Sequence, residues 1–224
     1  MRLVVFGATG GVGGHLLRQA LDAGQEVTAV VRDPSRLPRT AARVVRADLL
    51  APDPAALRDA LDGAGAVVSG LGARTSAEAR AGIARRGTRA IVDAMRAAGV
   101  RRVVVVSAAS VGTVPSPGRP HPPAHNPGDG FFMRHLAAPL AKRAFRHQYA
   151  DLALMEDVLR DSELDWTVAR PPRLLGGRAT GRYRVAYDRN VRGGMFIRRA
   201  DVAHLMLATL TRPETVHHAL GVAY

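Results

Sequence analysis

Residues Val4–Leu21 read VVFGATGGVGGHLLRQAL, and this stretch decides the fold. It begins inside an apolar run at 3–6 that predicts a buried strand. A burst of glycines follows, and the apolar residues over 14–24 then recur with the spacing of one helical face, up to Gly24. A strand, a glycine loop and a helix in this order predict the first crossover of a parallel α/β sheet.

The rest of the chain repeats this alternation. Further strands are predicted at 27–31, 42–49, 66–72, 101–110 and 165–171. Further helices are predicted at 53–61, Ala77–Ala98, Tyr149–Leu159 and 201–210. The pattern predicts a doubly wound α/β Rossmann fold, with a parallel sheet covered by helices on both faces and a small C-terminal cap. We expect one domain over 1–224, with its substrate side near 111–150 and 171–199.

The composition and net charge of the chain exclude several classes of protein. The 224 residues carry a formal net charge of +13, and almost all of the positive charge is arginine, because Lys142 is the only lysine. The arginines are scattered without a long basic block, which disfavours nucleic-acid binding, although the charge favours anionic ligands. The absence of cysteine excludes disulfides and thiolate chemistry. No apolar run approaches the ~20 residues of a membrane span, and no leader signature is present, so we expect a cytoplasmic protein without a membrane partner.

The glycines form the pattern G-x-x-G-x-x-G at Gly7, Gly10 and Gly13. Gly7 and Gly10 allow the backbone to turn and to approach a pyrophosphate, and Gly13 allows the helix to pack close to the strand. The helix N-terminus then presents free N–H groups and the positive end of its dipole to the phosphates. The loop therefore predicts a dinucleotide site, and the alternative is a simple glycine turn.

The second strand ends in VVRDPSRL, at 30–37. An acidic residue at this place would bind a free ribose 2′-hydroxyl, but here Arg32 occupies it and Arg36 follows one turn later. A guanidinium pairs with a phosphate, so NADP(H) is favoured over NAD(H). Asp33 is adjacent to Arg32 and moderates the preference. The alternative for Arg32 is a solvated surface arginine.

With these motifs in order, the chain resembles an atypical short-chain dehydrogenase/reductase, in the NAD(P)H-binding branch of biliverdin-IXβ/flavin reductases and nitrogen-metabolite-repressor-like proteins. The resemblance rests on GATGGVG, VVRDPSRL, ADL (47–49), GLGAR (70–74), VVVVSAAS (103–110) and DWTVARPPRL (165–174). It implies that the pyrophosphate is wrapped by Gly7, Thr9, Gly10, Gly11, Val12 and Gly13. It implies that Arg32 holds the 2′-phosphate. The other implied cofactor contacts are Asp48, Leu49, Leu71, Gly72, Ala73, Arg74, Ser107, Pro171 and Pro172.

The acid–base dyad of the superfamily, Tyr-x-x-x-Lys, is absent. Ala138 lies four residues before Lys142, and Ala153 lies four residues after Tyr149. Without an ammonium Tyr149 keeps a pKa near ~10, which disfavours alcohol/ketone interconversion. A planar conjugated or flavin-like acceptor can take its proton from water, so we predict an NADPH-dependent reductase of such a small molecule. The alternatives are a non-catalytic NADP(H) redox sensor and an isomerase or epimerase with bound NAD(P).

Ser107, Ser110 and Tyr149 are the candidate catalytic residues, and serines that only cap the loop are the alternative. The histidines at 121, 125, 135 and 147 do not form a convincing metal site, because prolines fill HPPAH and no cysteine or carboxylate completes it. One of them, or His204, could supply the proton instead.

Two segments are expected to border the substrate. The stretch 128–149 predicts an amphipathic helix whose Phe131, Phe132, Met133 and Leu136 line a pocket. The alternative is packing on the body of the protein or on a second subunit, which would make a homodimer. The stretch 170–199 predicts a small hairpin with Met195 and Phe196 directed inward.

Overall fold

The computed structural model describes residues 1–130, 135–136 and 138–224. The strands in this part of the chain are β1 (Arg2–Phe6), β2 (Glu26–Val31), β3 (Arg43–Arg46), β4 (Ala66–Ser69), β5 (Arg102–Val106), β6 (Asp165–Arg170), β7 (Arg173–Leu175), β8 (Arg184–Tyr187), β9 (Phe196–Arg198) and β10 (His218–Ala223). The helices are α1 (Gly13–Asp22), α2 (Pro54–Leu61), α3 (Ser76–Arg80), α4 (Ile83–Ala98), α5 (Ala138–Ala144), α6 (Arg146–Arg160) and α7 (Arg199–Ala208).

Eight of the strands form one sheet in the order β3-β2-β1-β4-β5-β6-β10-β8. All neighbours from β3 to β10 are parallel, and β8 is antiparallel to β10 at the edge. The strand order reverses at β1, between β2 and β4, and this switch point is where open α/β sheets bind ligands. The predicted Rossmann-like α/β fold is confirmed.

The core lies on both faces of this sheet. Val4 and Phe6 face a cluster that contains side chains of α2, α4 and α6. Leu3 and Val5 face the opposite cluster, which contains side chains of α1 and α7. Successive residues of a strand point to opposite faces, so an uninterrupted apolar strand is buried on both sides. Each fully buried side chain of this size contributes about 1.5–3 kcal/mol of transfer free energy.

The prediction of one helix over Ala77–Ala98 is wrong, because the helix breaks at Gly82. Gly82 has φ of 73°, in the left-handed region that glycine adopts without a steric penalty. The new helix α4 is capped from a distant element, since the Asp151 carboxylate accepts hydrogen bonds from the N–H groups of Ala84 at 2.9 Å and Arg85 at 3.0 Å. This cap joins α4 to α6, the helix that carries Tyr149.

The C-terminal cap also differs from the prediction. Segment 170–199 contains no hairpin, because β7 pairs in parallel with β9 while β8 joins the main sheet. Met195 and Phe196 are each 46% exposed, and the Phe196 ring contacts Tyr224 rather than a pocket. The last strand, β10, was not predicted at all.

In segment 128–149 the described residues form α5 and the start of α6 rather than one helix. Leu136 is 50% exposed. The predictions for Phe131, Phe132 and Met133 lie outside the described residues. Among the helices that the structure describes, none has the length and apolar character needed to cross a membrane.

Candidate functional site

The glycine loop connects β1 to α1 and brings them into close contact. Gly7 has φ of 71°, and a Cβ there would lie 2.9 Å from the Gly70 carbonyl carbon. At Gly13 a Cβ would lie only 2.0 Å from the Gly7 carbonyl oxygen. Any side chain at Gly13 would therefore push α1 away from β1, as the motif predicts.

The N-terminus of α1 presents hydrogen-bond donors without protein acceptors. Within the described residues, no acceptor is bonded to the backbone N–H groups of Gly11, Val12 or Gly13, and Val12 provides no side-chain cap. Unpaired donors at a helix N-terminus, together with the helix dipole, stabilise an anion. The loop therefore fits the pyrophosphate of a dinucleotide.

A cleft opens beside this loop, at the C-terminal ends of β1, β2 and β4. It brings together most of the residues implied by the resemblance: Gly7, Thr9, Gly10, Arg32, Asp48, Leu49, Leu71, Gly72 and Arg74. Arg36, predicted from its spacing after Arg32, also lines it. Asp33, which the sequence places beside Arg32, also lines the cleft. The remaining lining residues were not predicted as contacts: Val30, Val31, Ala47, Gly70, Glu78 and Ile83. Of the other predicted contacts, Gly11 and Ala73 are adjacent in the chain to lining residues, and Val12 and Gly13 follow Gly11 in the loop. Ser107, Pro171 and Pro172 lie outside the cleft.

The charged side chains at the end of β2 differ in whether they are bonded within the protein. Arg32 and Arg36 are exposed at the cleft. Asp33 accepts hydrogen bonds from the Ser35 hydroxyl at 2.7 Å and the Ser35 N–H at 3.1 Å. The Ser35 hydroxyl, assisted by nearby arginines, holds the pKa of the Asp33 carboxyl below its ordinary value. The carboxylate is thus bonded to its own turn, and the two guanidinium groups remain available to an anionic ligand.

Arg74 borders the cleft on its other side. Its guanidinium donates to the Thr9 carbonyl at 2.9 Å, and its backbone N–H donates to Glu78 at 2.8 Å. Thr75 caps the N–H of Glu78 at 3.1 Å, which fixes the start of α3. Arg74 therefore connects α3 to the glycine loop.

At the ends of β5 and β6 the polar groups are buried and bonded to one another. Ser107 donates from its hydroxyl to Glu156 at 2.8 Å, and Arg170 donates to the same carboxylate through Nε at 2.9 Å and through a second guanidinium nitrogen. Burial raises the pKa of Glu156, but the Arg170 charge and the bonds from Arg170 and Ser107 lower it more, to below its ordinary value. The Ser107 hydroxyl is thus already used within the protein.

Ser110 and Tyr149 form a separate pair. Burial raises the pKa of the Tyr149 hydroxyl, and a hydrogen bond with the Ser110 side chain opposes that rise. The Lys142 ammonium donates to the Thr113 carbonyl at 3.3 Å and is not among the groups that shift the pKa of Tyr149. The structure therefore brings two candidate residues together but supplies Tyr149 with no cation that lowers its pKa.

The predicted substrate segments meet at a groove beside β8, at the edge of the sheet. Asn190 donates from its backbone N–H to the Asn126 side chain at 2.7 Å and from its amide to Asp129 at 2.7 Å. Three arginines line the groove, at positions 184, 189 and 192. In the described part of the chain, no group of three or more His, Asp or Glu side chains is placed to hold a metal ion.

The fold and the cleft at its switch point define a dinucleotide-binding Rossmann protein of the atypical short-chain dehydrogenase/reductase class. The chain belongs to the NAD(P)H-binding family, which matches residues 7–213. It carries an NAD(P)-binding, oxidoreductase-like fold.

Individual proteins extend this comparison. The anaerobillin reductase ChuY of Escherichia coli has 26% sequence identity and a TM-score of 0.73, over 99% of this chain and 97% of that chain. A wide-type short-chain dehydrogenase/reductase of Veillonella parvula, solved with NADP, shares the fold at 17% identity and a TM-score of 0.72, over 100% of this chain and 94% of that one. A UPF0659 protein of Schizosaccharomyces pombe is 24% identical over 66% of this chain, which spans only 57% of the yeast protein.

Sequence reasoning missed Glu156, Asp151 and Arg199. The sequence indicates Glu156 only weakly. Its carboxylate lies among the apolar residues of α6, and a buried carboxylate requires a partner. Asp151 caps α4 from α6, and Arg199 lies against Gly11 of the glycine loop, so both contacts are distant in sequence. No local pattern identifies them.

Proposed function

We propose that the protein is an NADPH-dependent oxidoreductase that reduces a planar conjugated or flavin-like small molecule. The cofactor preference rests on the end of β2, where Arg32 and Arg36 face the cleft while the Asp33 carboxylate is bonded to Ser35. A guanidinium forms strong, charge-assisted hydrogen bonds with a phosphate. NAD(H) would leave both cations without this partner.

Each part of the cleft has a distinct task in this proposal. The free N–H groups of Gly11, Val12 and Gly13 hold the pyrophosphate, and Asp48 and Leu49 flank the adenine. When bound, the cofactor supplies a hydride. The protein contributes chiefly by holding the cofactor and a flat acceptor in contact, which removes the entropic cost of bringing them together.

The choice of acceptor follows from the acid–base groups. Tyr149 has a raised pKa and no ammonium beside it, and the Ser107 hydroxyl is bonded to Glu156. A ketone would need a proton donor at its oxygen, whereas a conjugated acceptor can take its proton from water. The similarity to a reductase of anaerobillin supports a conjugated substrate.

The raised pKa of Tyr149 and the bonding of Ser107 to Glu156 also favour one other function, a non-catalytic NADP(H)-responsive regulator. Such a protein would need the cleft and the arginines but no acid or base. A regulator would bind NADPH tightly and transfer hydride to no acceptor.

Two measurements test the proposal. The first is a fluorescence titration with NADPH and with NADH, in which NADPH should bind at least about tenfold more tightly, since one charge-assisted contact is sufficient for that difference. Equal affinities would contradict the assignment of Arg32. The second follows NADPH absorbance in the presence of FMN, dichlorophenolindophenol or quinones. Turnover with any of these acceptors supports the reductase, and tight binding without turnover supports the regulator.

A further inference from the structure

Arg199, the first residue of α7, lies against the glycine loop although it is far from the loop in sequence. The Gln19 side chain of α1 donates to the Ala200 carbonyl at 2.8 Å, which fixes the start of α7 beside α1. Leu16 and Leu17 of α1 also pack in the same core cluster as Val202 of α7. The position of Arg199 is therefore set by the fold.

Gly11 provides the space that Arg199 occupies. A Cβ at Gly11 would lie 2.7 Å from Cδ and 2.8 Å from Nε of Arg199. Gly11 does not have a positive φ, so the turn itself does not require glycine there. The missing side chain at Gly11 is instead explained by the arginine that covers it.

The charge of Arg199 is not compensated by an acid. Among the described residues, none accepts a hydrogen bond or forms an ion pair with its guanidinium, although Arg96, Arg101 and Arg102 each donate to several acceptors. Its charge also acts on His15 of α1, whose pKa is lowered first by burial and then by the charges of Arg18 and Arg199. A cation without a partner thus lies beside the unpaired N–H groups of Gly11, Val12 and Gly13.

We propose that Arg199 is an additional cofactor-binding residue, which pairs with the pyrophosphate that NADPH and NADH share. This inference rests on the proposed position of the pyrophosphate at the glycine loop. It assigns two distinct tasks to arginine: Arg32 recognises the 2′-phosphate and selects the cofactor, whereas Arg199 adds affinity for either cofactor. A guanidinium can bind a phosphate through two parallel hydrogen bonds, which suits this geometry.

The test compares Arg199→Gln with Arg18→Gln. Arg18 is the matched control, because it also lies beside His15, at 2.5 Å from Nδ1, and its loss changes the net charge equally. Fluorescence titration should show that Arg199→Gln weakens NADPH and NADH by the same factor, about tenfold, from the loss of one charge-assisted contact. Arg18→Gln should weaken either cofactor by less than about threefold, the range of a screened surface charge. Unfolding without cofactor should show both variants folded.

A second variant covers the case in which Arg199→Gln does not fold. Gly11→Ala should displace the Arg199 side chain and also weaken both cofactors equally, whereas Gly14→Ala, with its Cβ 3.4 Å from the Ala8 carbonyl, should not. Equal effects of the Arg199 and Arg18 variants, or a loss confined to NADPH, would overturn the inference and leave the proposed function intact. A wild-type protein that binds neither cofactor would instead contradict the proposed function, and this inference with it.

Discussion

At the ends of β1, β2 and β4 the charged side chains are exposed and face a cleft, whereas at the ends of β5 and β6 they are buried and paired. Arg32 and Arg36 belong to the first region, and Glu156 and Arg170 belong to the second. The first region offers its charges and free N–H groups to a ligand. The second has satisfied its polar groups internally. The same edge of the sheet therefore combines a binding region with a rigid support.

Because the two regions differ in burial and pairing, they should respond differently to substitution. Removing one partner of a buried pair leaves an uncompensated charge in a medium that solvates it poorly, so the loss is one of stability. Removing an exposed arginine costs little stability, because water replaces its contacts, but it removes a ligand contact.

The largest effect is expected at Glu156. Glu156→Gln leaves the buried Arg170 without its counter-charge, and it should destabilise the protein by about 3–5 kcal/mol, a fall in Tm of roughly 6–20 °C. Thermal unfolding followed by circular dichroism measures this change. Glu26→Gln is the control, since Glu26 bonds Arg2 at 3.3 Å with 76% of its side chain exposed. The control should change stability by less than about 1 kcal/mol, and a similar loss in both variants would contradict the assignment.

The same pair predicts a pH dependence. The pKa of Glu156 is lowered in the folded protein, so its contribution is complete above the unfolded pKa of ~4.3 and is lost as pH falls through the folded pKa. The difference in Tm between wild type and Glu156→Gln should therefore be constant from about pH 8 to about pH 5 and decrease below about pH 4. Unfolding measured across this range checks the sign. A difference that grows toward low pH would contradict it.

A smaller effect is expected where the binding region meets the core. Gly13→Ala would place a Cβ 2.0 Å from the Gly7 carbonyl oxygen, so we expect a loss of about 1–3 kcal/mol and weaker binding of both cofactors. Gly14→Ala is the control in the same turn of α1. It should be neutral or stabilising by about 0.5–1 kcal/mol, because alanine favours the helix. Denaturant unfolding of the two variants gives the comparison, and equal losses would show that the close packing at Gly13 has no special cost.

Arg32 tests the exposed region without affecting the core. Arg32→Gln should weaken NADPH by about tenfold and leave NADH within about twofold, since only NADPH carries the 2′-phosphate. Arg39→Gln removes the same charge from the same loop, but Arg39 does not line the cleft. Titrations with both cofactors check the result. An equal effect of the two variants would show that only net charge attracts the cofactor.

The two regions also differ in how far the sequence predicts them. The glycine loop, Arg32 and the alternation of strands and helices depend on local spacing, so their places in the fold follow from the sequence. The break at Gly82 depends on a cap from Asp151, and the bonding of Ser107 depends on Glu156. Such long-range contacts have no periodic signal. The same reason explains why β10, a short strand after the last helix, and the position of Arg199 were missed.

The smallest effect is expected at Tyr149, whose partner Ser110 follows β5. In a Tyr-x-x-x-Lys enzyme the tyrosine is the proton donor. General acid catalysis of that kind typically accelerates a reaction by about 10²–10⁴-fold, so removing such a tyrosine would lower kcat by roughly that factor. Here burial raises the pKa of Tyr149 and Lys142 is bonded to Thr113, so Tyr149 does not titrate near neutral pH. Tyr149→Phe should therefore change kcat for NADPH oxidation by less than about threefold and leave its pH profile between about pH 6 and 9 unchanged. Stopped-flow absorbance with the best acceptor measures both, with Ser110→Ala as the matched removal of its hydrogen-bond partner. A hundredfold loss, or a new dependence on pH, would show that this tyrosine acts as the acid without a lysine.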